Sequence, residues 1–140
     1  MRSEVRVRAK GRARAVQAVY AWDVTGALAL DRAAERLWDD LALDADVRRR
    51  AAALTRVVAA RGGEIDAAIR DVTANWRLER VGAIERAVLR VAAAELLEGE
   101  TPPKVAVQEA VRLAERFGSE PAARFVNGVA DALARKLGRL

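Results

Sequence analysis

Apolar residues along the chain recur at intervals of three and four rather than two, the period of an amphipathic helix and not of a half-buried strand. Seven helical segments follow from this spacing. The first is expected over about 10–24, stopping near Gly26, and the second, with Asp31 as N-cap, carries Ala34, Leu37, Trp38 and Leu41. A third, from about residue 45, aligns Val47, Ala51, Leu54 and Val58 ahead of a break at Gly62-Gly63. Ile65, Ala68, Ile69, Val72 and Trp76 make the most regular stripe, that of a fourth. The fifth, about 81–98, stacks Ile84, Val88, Val91 and Ala92 and is stopped by residues 99–103. Thr101 before Pro102 reads as the cap of a sixth, which buries Val107, Ala110, Val111, Ala114 and Phe117 and places Gly118 at its C′ position. Ser119 caps the seventh, whose stripe is Ala122, Phe125, Val126, Val129 and Leu133. Short loops between amphipathic helices imply antiparallel neighbours packed as bundles, so the fold class is all-α.

In 140 residues there is room for one domain. The 25 Lys and Arg exceed the 20 Asp and Glu by a formal charge of +5, and the excess is local. Arg2, Arg6, Arg8, Lys10, Arg12 and Arg14 stand in residues 1–14 against Glu4 alone, while the rest of the chain balances at 19 against 19. A neutral body with a basic arm points to a polyanionic partner. On a helix these cations form two stripes, with 6, 10 and 14 on one and 8 and 12 on the other, and the second shares its azimuth with Val16 and Val19. Cations are not expected to continue an apolar seam into a core. Either the helix projects beyond the body there, or the arm, residues 1–9, stays flexible until a ligand orders it. A phosphate-binding arm and a solvated tail both fit. Arg outnumbers Lys by 22 to 3, which suits bidentate phosphate contacts, but the same bias runs through the neutral body.

The chain has no Cys and no His, which excludes disulfides, thiol nucleophiles, imidazole bases and ordinary zinc sites. Carboxylate chemistry alone remains possible, and no cofactor is expected. No stretch approaches 18 uninterrupted apolar residues and no signal-peptide core follows the basic start, so the expected location is the cytoplasm.

A few residues depart from the core pattern. Gly128 lies at the edge of a polar face made by Arg124, Asn127, Asp131 and Arg135, where a helical glycine costs about 1 kcal/mol relative to Ala. Close approach of a ligand and a merely tolerated glycine are the two readings. Phe125, at the margin of its apolar stripe, is either core or a ring for base stacking. Glu85 and Glu95 project within the apolar arc of the fifth helix, so each should meet a cation, either an internal Arg or, for Glu85, one on a partner protein. Arg48, Arg49 and Arg50 read as a solvated face, and Trp22, Trp38 and Trp76 as core.

Taken in order, several segments resemble the NusB family of transcription antitermination factors. They are Lys10-Gly11-Arg12 running into Ala15-Val16-Gln17-Ala18-Val19-Tyr20, Ile65-Asp66 with Asn75-Trp76, and Glu85-Arg86-Ala87-Val88-Leu89-Arg90 with Glu95-Leu96. The residues from Pro103 to Val111, then Phe117-Gly118 and Arg124-Phe125-Val126-Asn127-Gly128-Val129, complete the match along nearly the whole length. The resemblance implies two small helical bundles packed across one another, about residues 10–61 and 63–138, with no enzymatic activity. It implies binding of boxA RNA from ribosomal RNA leader transcripts together with NusE, a small ribosomal protein, in an antitermination complex on RNA polymerase. By that resemblance Arg8, Lys10 and Arg12 contact RNA, Gln17, Arg124 and Phe125 extend the surface, and Tyr20 and Glu85 face NusE. The arm and the polar edge add Arg6, Asn127 and Gly128 to the candidates. Gly11 stands where the family usually has Ala, which should loosen the start of the first helix, and Pro121 fills a loop position more often polar.

Two other readings stay open. A related helical domain precedes the catalytic domain of some ribosomal RNA cytosine methyltransferases, although this chain shows neither G-x-G-x-x-G nor a Cys. A helical adaptor or homodimer with an incidental arm is the other.

Overall fold

A computed structural model describes residues 3–73 and 80–140. Among the described residues there are seven helices and no strand: α1 (Glu4–Thr25), α2 (Leu30–Leu41), α3 (Ala45–Ala60), α4 (Gly62–Val72), α5 (Ala83–Glu98), α6 (Pro103–Phe117) and α7 (Glu120–Lys136). The all-α expectation holds. Gly26 and Gly99 end α1 and α5 at φ of 62° and 80°, left-handed conformations that a side chain would strain.

The helices α1, α2 and α3 pack on one another, while α4, α6 and α7 gather around α5. The two groups meet where α1 and α3 lie against α5. The sequence makes α5 the natural centre, because from Ala87 to Leu97 it is apolar nearly all round and every residue is buried. Its alanines let neighbouring helices approach closely. The main core joins Val16 and Val19 of α1, Leu54 of α3, Ile65 and Ile69 of α4, Leu89 of α5 and Leu133 of α7. Trp38 of α2 fills a smaller cluster with Ala18, Ala34 and Ala51, and Trp22 packs against the main core, as expected of both rings. Trp76 and Asn75 lie outside the described residues.

Several helix ends differ from their expected places. The first helix begins at Glu4, six residues earlier than the apolar pattern indicated, so residues 4–9 of the arm are helical. Asp31 lies inside the first turn of α2, where its charge suits the helix dipole, and the N-cap is Ala29. Gly62 begins α4 rather than separating it from α3. Pro102, not Thr101, caps α6, because the Thr101 hydroxyl is engaged elsewhere, as described below. Ser119 does cap α7, accepting from the Ala122 N–H at 3.2 Å. Gly118 sits at the end of α6 but not in a left-handed conformation; a Cβ there would lie 2.8 Å from the Ala114 carbonyl oxygen. It is needed for the tight return of the chain into α7.

Candidate nucleic-acid interface

The two cation stripes of the arm meet different fates once α1 is helical from Glu4. The stripe of Arg8 and Arg12 turns inward, where α5 supplies the missing counter-charge. Glu95 is fully buried, and its carboxylate accepts from Arg12 Nε at 2.7 Å and Arg12 Nη2 at 2.6 Å, a two-pronged bond. It also accepts from Thr101 Oγ1 at 2.7 Å and Arg50 Nη2 at 3.1 Å. Arg50 spans to Glu98 at 2.6 and 2.7 Å, and Arg12 Nη1 reaches Glu109 at 3.3 Å. Arg8 donates to Thr101 Oγ1 at 2.5 Å and lies 3.6 Å from Glu100 and 3.9 Å from Glu98. Burial alone would push the Glu95 carboxyl up, yet it is held below its usual range because Arg12, then Thr101 and Arg50, stabilise the anion.

Two expectations are corrected by this network. Cations were not expected to continue the apolar seam of α1, but the seam runs through Arg12, which has 5% of its surface exposed and is neutralised by the buried Glu95 carboxylate. The run of Arg48 to Arg50 is not uniformly a solvated face, since Arg50 is buried in the same network while Arg48 pairs with Asp39 at 2.7 Å. Gly11 makes the Arg50 position available: a Cβ on it would stand 2.5 Å from Arg50 Cγ and 2.7 Å from Arg50 Cβ. The glycine therefore lies well inside α1 as a close helix contact, not at a loosened start.

The other stripe faces solvent. Arg6 and Lys10 are exposed, and among the described residues no ion pair reaches either. One turn on, Arg14 and Gln17 are half-buried, with Arg14 Nη1 donating to Gln17 Oε1. Tyr20, exposed at 36%, follows on α1. The far end of α1 is pinned to the start of α5 by Asp23, which accepts from Arg86 Nε at 2.8 Å and lies 3.3 Å from Arg90 Nη1. Arg90 also grips Asp66 of α4 and stacks 5.5 Å from the Trp22 ring centre. These bonds hold the end of α1 carrying Tyr20 against the end of α5 carrying Glu85.

Glu85 is half-buried, and among the described residues no hydrogen bond or ion pair reaches it, in contrast to Glu95. Its carboxylate folds over Gly82, where a Cβ would fall 2.6 Å from both oxygens. Glu85 shares a shallow concavity with Arg80, Ser119, Pro121 and Phe125, so the candidate protein contact and the candidate stacking ring border one hollow. Phe125 is half-buried against the core with part of the ring in that hollow. Arg124 and Asn127 are exposed beside it; Arg124 lies 3.8 Å from Glu120, and Gly128 opens onto free space. Among the described residues no hydrogen bond or ion pair joins this edge to Arg6, Lys10 or Gln17.

Sequence reasoning read Arg50 as solvated and Thr101 as a cap, and it placed Arg14 in the outward stripe without singling it out. Two of its puzzles, cations in the apolar seam of α1 and a carboxylate in the apolar arc of α5, answer each other. Reading each helix separately concealed the pairing.

The comparisons agree with this architecture. The NusB family model matches residues 9–135. The chain is 42% identical to the transcription antitermination protein NusB of Anaeromyxobacter sp. (strain Fw109-5), covering 93% of this chain and 91% of that one. It is 40% identical to the NusB protein of Sorangium cellulosum (strain So ce56), with 95% of each chain covered. Among solved structures it is similar to T. maritima NusB, with a TM-score of 0.85 at 29% identity, covering 96% and 93%. It is likewise similar to a chain in a complex of the antitermination factors NusB and NusE with dsRNA, with a TM-score of 0.83 at 27% identity, covering 93% and 97%. Among the described residues no helix is long and apolar enough to cross a membrane. With the family model spanning most of its length and relatives of this identity matched nearly end to end, the chain belongs to the NusB family, whose named relatives are transcription antitermination proteins rather than enzymes.

Proposed function

We propose that this protein binds boxA RNA of ribosomal RNA leader transcripts together with NusE, and that the pair enters an antitermination complex on RNA polymerase in the cytoplasm. The observation that carries the reading is the outward stripe of α1. Among the described residues no ion pair reaches its exposed Arg6 and Lys10, whereas Arg8 and Arg12 of the same basic segment turn onto internal carboxylates, so this face of α1 presents uncompensated positive charge to solvent. Gln17 extends that face, and Arg124, Phe125, Asn127 and Gly128 provide a second RNA-facing edge. Tyr20 and Glu85, which no hydrogen bond or ion pair reaches among the described residues, form the surface for NusE. Arg12 is left out of the RNA surface because Glu95 and Glu109 occupy it, and Arg8 is largely taken by Thr101 and its carboxylate neighbours. The solved NusB–NusE complex with dsRNA supports the pairing of both partners on this fold.

Titrating boxA RNA against the chain, with and without NusE, across a series of salt concentrations tests the reading. For single strands, log K should fall against log salt by about 0.7 per neutralised phosphate, so R6A/K10A should flatten the slope by about 1.4. R12A, judged on the folded fraction, should leave the slope where it is. Absence of RNA binding with or without NusE, or a slope unchanged in R6A/K10A, overturns the proposal. The solution mass in the same titration separates a monomer from a homodimer.

A further inference from the structure

Arg14 is not among the residues carried over from the family resemblance, and its charge is not absorbed by the internal network. At 100° per residue, positions 6, 17, 10 and 14 fall within an arc of roughly 80° on α1, so Arg14 and Gln17 share the face of the free cations. The contact between them is specific: Arg14 Nη1 donates to the Gln17 side-chain oxygen. A free glutamine amide presents one acceptor and two donors, and exchanges them by a half-turn of the amide. Once its oxygen is taken by a guanidinium, the half-turn would set an NH2 group against an Arg N–H, two donors facing each other. The amide is thereby fixed. What remains for a ligand is its NH2 group together with the remaining guanidinium N–H donors, with one lone pair left on an oxygen held beside a guanidinium, so donors and positive charge predominate.

We infer that Arg14 and Gln17 act as one recognition unit for RNA, in which Arg14 fixes the Gln17 amide so that the pair accepts only a base edge offering acceptors at that place. This rests on the RNA-binding reading above, and it makes Arg14 a specificity-determining residue rather than one more phosphate cation. A guanine presents two adjacent acceptors, O6 and N7, to such a unit, whereas the exocyclic amine of adenine or cytosine would meet donors.

The test measures affinities of the full chain with NusE for boxA RNA and for a set substituted at each position in turn, using wild type, R14A, Q17A and R14A/Q17A. Wild type should discriminate roughly tenfold at one position. R14A and Q17A should each bring that ratio to within about twofold at the same position, and the double variant should lose no more than either, because the pair acts together. R14A and Q17A should both leave the salt slope close to that of wild type, because the pair meets a base edge rather than a phosphate. Helical circular dichroism confirms that each variant is folded. If wild type binds RNA but R14A keeps the base preference, or the two losses simply add, the inference is overturned while the RNA reading stands. If wild type binds no RNA, the RNA reading falls first.

Discussion

Three side chains converge on Glu95, with Arg12, Arg50 and Thr101 all donating to a carboxylate that is fully buried. Removing one partner of such a group is far more costly than never having had the pair, because the remaining charges stay buried without compensation. E95A should therefore destabilise the protein by about 3–5 kcal/mol, measured by urea unfolding. An effect under 1 kcal/mol would mean that water already reaches the network. The pH dependence has a definite sign. Because the folded Glu95 holds its proton less tightly than an unfolded glutamate, its contribution is full above the ordinary carboxylate range and is lost as pH falls through the depressed folded value. Wild type should lose stability on acidification below about pH 4–5, while folded E95Q should lack that part of the acid limb. An identical acid limb in both proteins would remove Glu95 from its cause.

On the scale of elements, α1 is the helix whose ends and faces decide both fold and site. It meets α3 so closely that Gly11 has the Arg50 stem against it, and Ala51 N would stand 3.2 Å from a Cβ at that position. Two effects oppose each other in G11A. Helix propensity favours alanine by about 1 kcal/mol, whereas overpacking costs about 1–3 kcal/mol. Here the obstructing atoms are the Cβ and Cγ of Arg50 rather than the far end of a flexible chain, so overpacking should win. G11A should lower the melting temperature, and G11A/R50G, which removes both obstructing atoms, should be more stable than the sum of the two single changes predicts. Strict additivity would show that the clash is relieved without cost. The helices themselves were legible from their periodicity, and Ser119 was legible as a cap because its hydroxyl has only the helix start to serve. Thr101 and the start of α1 were not. The Thr101 hydroxyl bonds across the fold to Glu95 and Arg8, and residues 4–9 are helical although they carry charge rather than an apolar stripe, with Arg8 and Arg12 finding counter-charges on other helices. Of the candidate site, the outward cations followed from charge counting, whereas the inward turn of Arg12 depended on a carboxylate 83 positions away.

For the whole molecule the question is whether the group of α1 to α3 and the group of α4 to α7 unfold together. They share α5, which contacts both, and buried charges cross the boundary: Arg12 and Arg50 from the first group end on Glu95 of the second. The bonds of Asp23 to Arg86 and Arg90 cross it at the other end of α5. If the first group unfolded alone, Glu95 would lose its two guanidinium partners and the α5 face packed on Val16, Val19 and Leu54 would be exposed to water. A partly folded state would thus keep the costs of burial without their compensation, which favours a single transition. Tryptophan fluorescence weights the first group, since Trp22 lies on α1 and Trp38 on α2, whereas helical circular dichroism reports all seven helices. The two signals should give the same urea midpoint, and L54A on α3 and L133A on α7 should each move both signals together, by the equivalent of about 2–5 kcal/mol. A fluorescence transition preceding the loss of helicity would show that the two groups are separable. In that case α5 would no longer hold the α1 stripe and the α7 edge in one fixed arrangement for a strand to follow.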